Sequence, residues 1–188
     1  MTRLDPVDEK KSPEFAAVLA ELTQSRGKAS NALRSMGHAP EGLRRLAAVG
    51  DYARYHSSLS ARIREIVIVV TGRESSYAMG HHGPLAMQAG VTQDEVSALC
   101  QGTVPVSFQG VDAAVARYVL EFTSKNSVSD ASFEALKALM TPREITDISI
   151  TSAYYAAFAM IATAMGVPGD SEDYVKAELD WQRRKDQS

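Results

Sequence analysis

The stretch SARIREIVIVV, Ser60 to Val70, decides how the rest of the chain is read. Its last five residues are β-branched and favour a strand by propensity alone. On a helix, Ile63, Ile66, Val67 and Val70 share one stripe, and Ile68 and Val69 widen it. A strand needs a partner, and no second β-rich run is present to supply one. The spacing therefore predicts a helix that is central to the fold.

The flanking segments are punctuated as helices too. From Pro13, Phe15, Val18, Leu19 and Leu22 form a helical face, and Pro40 opens a helix containing Leu43, Leu46, Ala47 and Val49. Thr92-Gln93-Asp94-Glu95 is a capping box, in which the Thr hydroxyl and Glu carboxylate each satisfy a free backbone N–H. Thr141-Pro142-Arg143-Glu144 repeats the device. Ile145, Ile148, Tyr155, Phe158, Ala162 and Met165 then recur at helical spacing until Gly166. The expected architecture is all-α. It comprises a flexible, charged arm over 1–12 and one helical domain over 13–188, either undivided or built as two halves around the 102–110 connector. The segment from Asp173 onward is expected to be a surface helix with a polar end.

With 188 residues, 45% of them hydrophobic, the chain can bury a sizeable core. Its charge balance, 20 − 23 = −3, gives no broad basic face, so nucleic acid is not an expected partner. The N-terminus has charges where a signal peptide needs an apolar core, and Ile66–Val70 is far too short to span a bilayer. With Cys100 alone, no internal disulfide can form. The expectation is a soluble, cytoplasmic protein without membrane partners.

The segment RESSYAMGHHGPLAMQAGV, Arg73 to Val91, holds the candidate chemistry. Ser75 or Ser76 can cap a helix on which Tyr77 shares a face with His81, and Ala78 with His82. Adjacent His81 and His82 diverge by about 100° on a helix and cannot easily face one target together. Pro84 offers no N–H to the Gly80 carbonyl, so a bend or restart is expected there. Glu65 lies in an apolar helix where an unpaired carboxylate is costly; it needs Arg62, Arg64 or a histidine as partner. A metal site from His56, Glu65 and His81 or His82 lacks the HExxH pattern, and no metal is expected.

Taken in order, Arg62, Glu65, Tyr77, His82, Pro84, Leu85, Ala86, Ala89, Gly90 and Val91 resemble the carboxymuconolactone decarboxylase and alkylhydroperoxidase D superfamily. The resemblance is close over roughly residues 42–102 and looser to about 167. It implies a helical fold and a homo-oligomer, trimer or hexamer, acting on a small molecule in aromatic compound catabolism. His82, Glu65 and Tyr77 would be catalytic, with His81, Arg62 and Met79 at the substrate and no cofactor. Either His81 or His82 could be the proton carrier. Tyr154 and Tyr155 read as core or subunit packing.

Three departures from the family pattern bear on the chemistry, one being a slightly shorter stretch from Glu65 to His82, with the shortening in the Thr71–Ser76 turn. Peroxidase members have Cys-x-x-Cys four residues ahead of the His; here those places hold Ser75 and Ala78. Without a thiol pair, thiol peroxidase activity is not expected. Non-redox relatives often have Glu-Trp after the Tyr, where this chain has Ala78 and Met79. The implied activity is a cofactor-independent decarboxylase acting on a carboxylated lactone or related carbonyl acid. The alternatives are a related isomerase or hydrolase, or a non-catalytic oligomeric binding protein.

Overall fold

A computed structural model describes residues 2–125 and 127–187. Its helices run α1 (Pro13–Arg26), α2 (Asn31–Ser35), α3 (Pro40–Asp51), α4 (Ala61–Gly72), α5 (Ser76–Gln88), α6 (Gln93–Cys100), α7 (Gly110–Lys125), α8 (Asp130–Lys137), α9 (Pro142–Met165) and α10 (Glu172–Asp186). Among the described residues there is no strand.

Ile66–Val70 is helical, as its periodicity predicts. All five residues are buried, with α7 and α9 packed along α4 and α5 beside it. A residue surrounded on every side gains more from burial than it loses in local helix propensity, which at most amounts to about 0.7 kcal/mol. Starts are fixed by side-chain caps. The Ser60 hydroxyl accepts from the N–H of Ile63, Ser75 from Ala78 and Ser171 from Tyr174. Both predicted capping boxes, Thr92 with Glu95 and Thr141 with Glu144, are formed. α9 stops at Gly166, whose φ of 62° is left-handed and suits glycine.

Two apolar clusters meet at a seam. One joins α4 to α9 through residues such as Ile66, Val67, Leu99, Val115, Leu136 and Ile148. The other joins α1, α2 and α3 through Phe15, Leu22, Leu33 and Leu43. Ile68, Tyr154 and Tyr155, with Phe158 and Leu46 beside them, bridge the two. The 102–110 connector therefore does not divide the chain into halves, because α4 packs on elements from both sides of it. Tyr154 and Tyr155 are buried inside the subunit, which is the core alternative of their reading.

Three local features depart from expectation. A π-helical turn, Tyr52–His56, continues α3 and turns Arg54 inward, where it is 6% exposed. α5 continues through Pro84 rather than restarting there. The N-terminal arm, read as loosely held, is docked: the Arg3 N–H donates to the Met165 carbonyl at 2.9 Å, and Val7 packs on the α1–α3 cluster.

Candidate active site

A cavity of about 50 Å³ opens at the seam, bordered by α2, α5, α9, α10 and the turn that holds Arg54. Its volume limits a ligand to a few waters or one small molecule. Leu33, Tyr154, Tyr155 and Phe158 supply apolar and aromatic wall, while Arg26, Arg54, His81, His82 and Glu178 supply polar and ionisable groups.

His82 and Glu65 come together from α5 and α4. His82 Nδ1 lies 2.9 Å from a Glu65 oxygen, and Glu65 is 1% exposed. Burial alone would raise the Glu65 carboxyl, but His82, Arg64 and Arg54 outweigh it and hold the group below its ordinary value. The carboxylate thus accepts the Nδ1 proton and fixes the ring. Among the described residues nothing pairs with Nε2, and the ring lines the cavity.

His81 has a different environment. Its Nδ1 lies 2.6 Å from Glu178 and its Nε2 3.2 Å from Asp170. Burial disfavours the charged ring, but the two carboxylates prevail and push its pKa up to about 9. His81 is therefore an imidazolium near neutrality, with both N–H groups already used. Arg54 donates to the same Glu178 carboxylate at 2.7 Å and to Gln182 at 2.9 Å. Burial opposes the Glu178 charge, and Arg54 and His81 hold its pKa far below the carboxylate range nonetheless.

The two histidines are linked behind the cavity. Arg64 bonds Glu65 at 3.3 Å and Asp186 at 3.2 Å, and the Gln182 amide donates to that same Asp186 at 2.9 Å. Each buried charge has an opposite neighbour, the condition under which a low-dielectric interior tolerates it. Among the described residues no three histidine, cysteine or acidic side chains cluster as a metal site would require.

Three sequence-predicted positions are placed differently from expectation, and the two histidines only in part. Tyr77 lines the cavity, but its hydroxyl donates to Asp170 at 2.6 Å and accepts from the Ala32 N–H at 3.3 Å. It is committed to structure. Arg62 lies away from the cavity, where it pairs with Asp112 at 2.8 Å, donates to the Gly90 carbonyl and covers the Phe108 ring. Its place in the first turn of α4 directs it toward α7 instead. Met79 faces Cys100 at 3.8 Å between sulfurs, in a separate groove, because it leaves α5 on a different side from the histidines. His81 and His82 diverge as helical geometry requires, toward α10 and α4, yet both rings line one cavity because it spans the gap between those helices.

Sequence reasoning missed Arg54, Asp170 and Glu178. Arg54 depends on the π turn, which no local pattern announces. Asp170 and Glu178 lie in a segment whose polar composition reads as a solvated surface; its one usable signal is Tyr174, Glu178 and Trp181 recurring at helical spacing.

The all-helical fold is that of alkylhydroperoxidase D-like structures. Residues 40–121 match the model of the carboxymuconolactone decarboxylase family. A peroxidase-related protein of uncharacterised function from Ralstonia eutropha JMP134 is similar over 93% of this chain and 95% of its own, with 18% identity and a TM-score of 0.77. Another from Silicibacter sp. TM1040 matches with 18% identity and a TM-score of 0.75, over 91% and 93%. The debrominase Bmp8, in complex with 2,3,4-tribromopyrrole, matches with 14% identity and a TM-score of 0.73, over 97% and 98%. At these identities the likeness is one of fold. No curated protein matches the chain by sequence.

Proposed function

We propose that the chain is a cofactor-independent lyase that decarboxylates a small carboxylated lactone or related carbonyl acid, with His82 as proton carrier. One observation carries this reading: His82 presents an unpaired Nε2 to the cavity while Glu65 holds its Nδ1. In the reaction the bond from carbon to the leaving carboxylate breaks, and its electron pair moves into the carbonyl to give an enolate. Protonated His82 then donates its Nε2 proton to carbon and is reprotonated from solvent. The Glu65 carboxylate accepts from Nδ1 and keeps the ring in register. Burial excludes bulk water, which strengthens each electrostatic contact.

A proton-transfer isomerisation is the second reading. It is favoured by the ionised Glu65, which leaves neutral His82 with its lone pair on Nε2 and thus able to take a proton and return it. Thiol chemistry is disfavoured because Cys100 is the only cysteine and lies beside Met79, outside this cavity. That the same fold seats a small planar ring in the debrominase complex supports a ligand of similar size.

The test is a screen of lactones and β-keto acids for CO₂ release, with His82→Gln as control. No turnover on any member, or equal turnover in the variant, rejects the lyase reading. We also propose that the chain assembles as a trimer or hexamer, supported by Met160, 72% exposed, beside exposed Ala153, Ala157 and Ala164 on α9.

A further inference from the structure

We infer that the hydroxyl of Tyr155 is the hydrogen-bond donor to the anionic oxygen of the ligand, an enolate or carboxylate held between Tyr155 and His82. This rests on reading the cavity as an acid–base site, and it assigns contact with the ligand to a residue that the sequence placed in the core.

Four tyrosines line the cavity; two of their hydroxyls are hydrogen-bonded to protein, and a third has a guanidinium beside it. Tyr77 donates to Asp170, Tyr174 donates to the Lys28 carbonyl at 3.3 Å, and Tyr154 stands at Arg26 beside Gly50. Among the described residues no protein group hydrogen-bonds the hydroxyl of Tyr155, although the residue is only 6% exposed. The residue is buried but its hydroxyl is not sealed among protein atoms, so at the cavity wall it is free to bond an external partner. Its neighbourhood fits an anion. The ring meets His82 edge to face, with centroids 4.9 Å apart and planes at 84°. The buried Arg54 guanidinium lies within electrostatic reach. Burial pushes the phenol well above its ordinary value, so the group stays a donor at any working pH.

This arrangement separates two tasks. His82 can reach the carbon that exchanges a proton, while Tyr155 stabilises negative charge as it develops on the adjacent oxygen. Both groups sit on rigid helices, α5 and α9, and Phe158 and Leu33 flank them with apolar wall. The ligand class is therefore a small, ring-sized enolisable carbonyl acid or its anion.

The probe is 4-nitrophenolate, whose absorbance reports binding without turnover. The wild-type protein should bind it as the phenolate, and Tyr155→Phe should weaken binding about tenfold or more. Tyr155→Phe should also melt at nearly the wild-type temperature, since the hydroxyl has no protein partner to lose. Absence of probe binding to the wild type, equal affinity in the variant, or a large fall in its melting temperature would each overturn the assignment. Turnover in His82→Gln stays a separate readout. Tyr155-dependent probe binding alongside full turnover in His82→Gln would support the donor and sink the acid–base reading.

Discussion

Glu178 and His81 lie 97 positions apart in sequence and 2.6 Å apart in space. This contact, closed by α10, separates the roles of two adjacent histidines. His81 is locked between carboxylates as a cation, and His82 keeps one ring nitrogen open to the cavity. Substituting each in turn should therefore give different phenotypes.

His82→Gln should lower turnover by ~10²–10⁴, the usual cost of removing a positioned acid–base group. Circular dichroism should remain fully helical. Glu65→Gln should act in the same direction more mildly, because it removes an orienting charge and leaves the proton carrier. Steady-state rates on whichever acid the screen returns decide the matter, and an unimpaired His82→Gln would reject the role.

Stability should fall with rising pH on the alkaline side. The folded pKa of His81, about 9, lies above the ordinary 6.5, so the folded state holds this proton more tightly. The stabilisation is complete below 6.5 and is lost as pH rises through 9. The responsible partners are Glu178 and Asp170, with Arg54 behind Glu178. Melting temperatures recorded across this window should decline in the wild type and stay nearly level in His81→Gln. A level wild-type profile would mean that His81 does not carry the charge.

Glu178→Gln should destabilise the protein by about 3 kcal/mol or more, because it leaves Arg54 and His81 buried with a neutral neighbour. Denaturant titration measures this directly. A double-mutant cycle with His81→Gln should show strong coupling between the two positions. Additive losses would indicate that the pair acts only through packing.

Cys100→Ala should leave turnover within about twofold of wild type. The thiol is partly buried, burial pushes its pKa up, and it faces Met79 rather than the cavity. A large loss of turnover would bring thiol chemistry back.

Met160→Glu should shift the assembly toward smaller species in light scattering, since it places a charge on the exposed apolar part of α9. A wild type that is monomeric at micromolar concentration would reject the proposed oligomer.

Much of the fold was legible because its signals are local. Apolar spacing on α4, the Thr92 and Thr141 capping boxes and the Gly166 stop each depend on residues within one or two helical turns. The Glu65–His82 pair was half legible: an acid within an apolar helix demands a partner, but sequence alone could not choose among Arg62, Arg64 and a histidine. The remainder of the site was not legible. Asp170 and Glu178 approach His81 only through tertiary packing, and an acidic residue in a polar helix looks the same whether it faces water or a buried imidazole. Arg62 was misjudged for the converse reason, as its position on α4 gives no hint that Asp112 and Phe108 claim it.

The late arrival of α10 bears on how the chain folds during synthesis. Arg54 emerges 124 residues ahead of the acid that neutralises it. Until then, sealing the seam would strand a guanidinium in a dry interior, which is unfavourable by several kcal/mol. Water must therefore remain in the seam after α1–α9 have been made. Docking of α10 expels it and completes the site in the same event. A nascent chain stalled before Glu178 would be helical yet still swollen at its centre, so quality-control proteases should distinguish it from the finished protein by that soft seam.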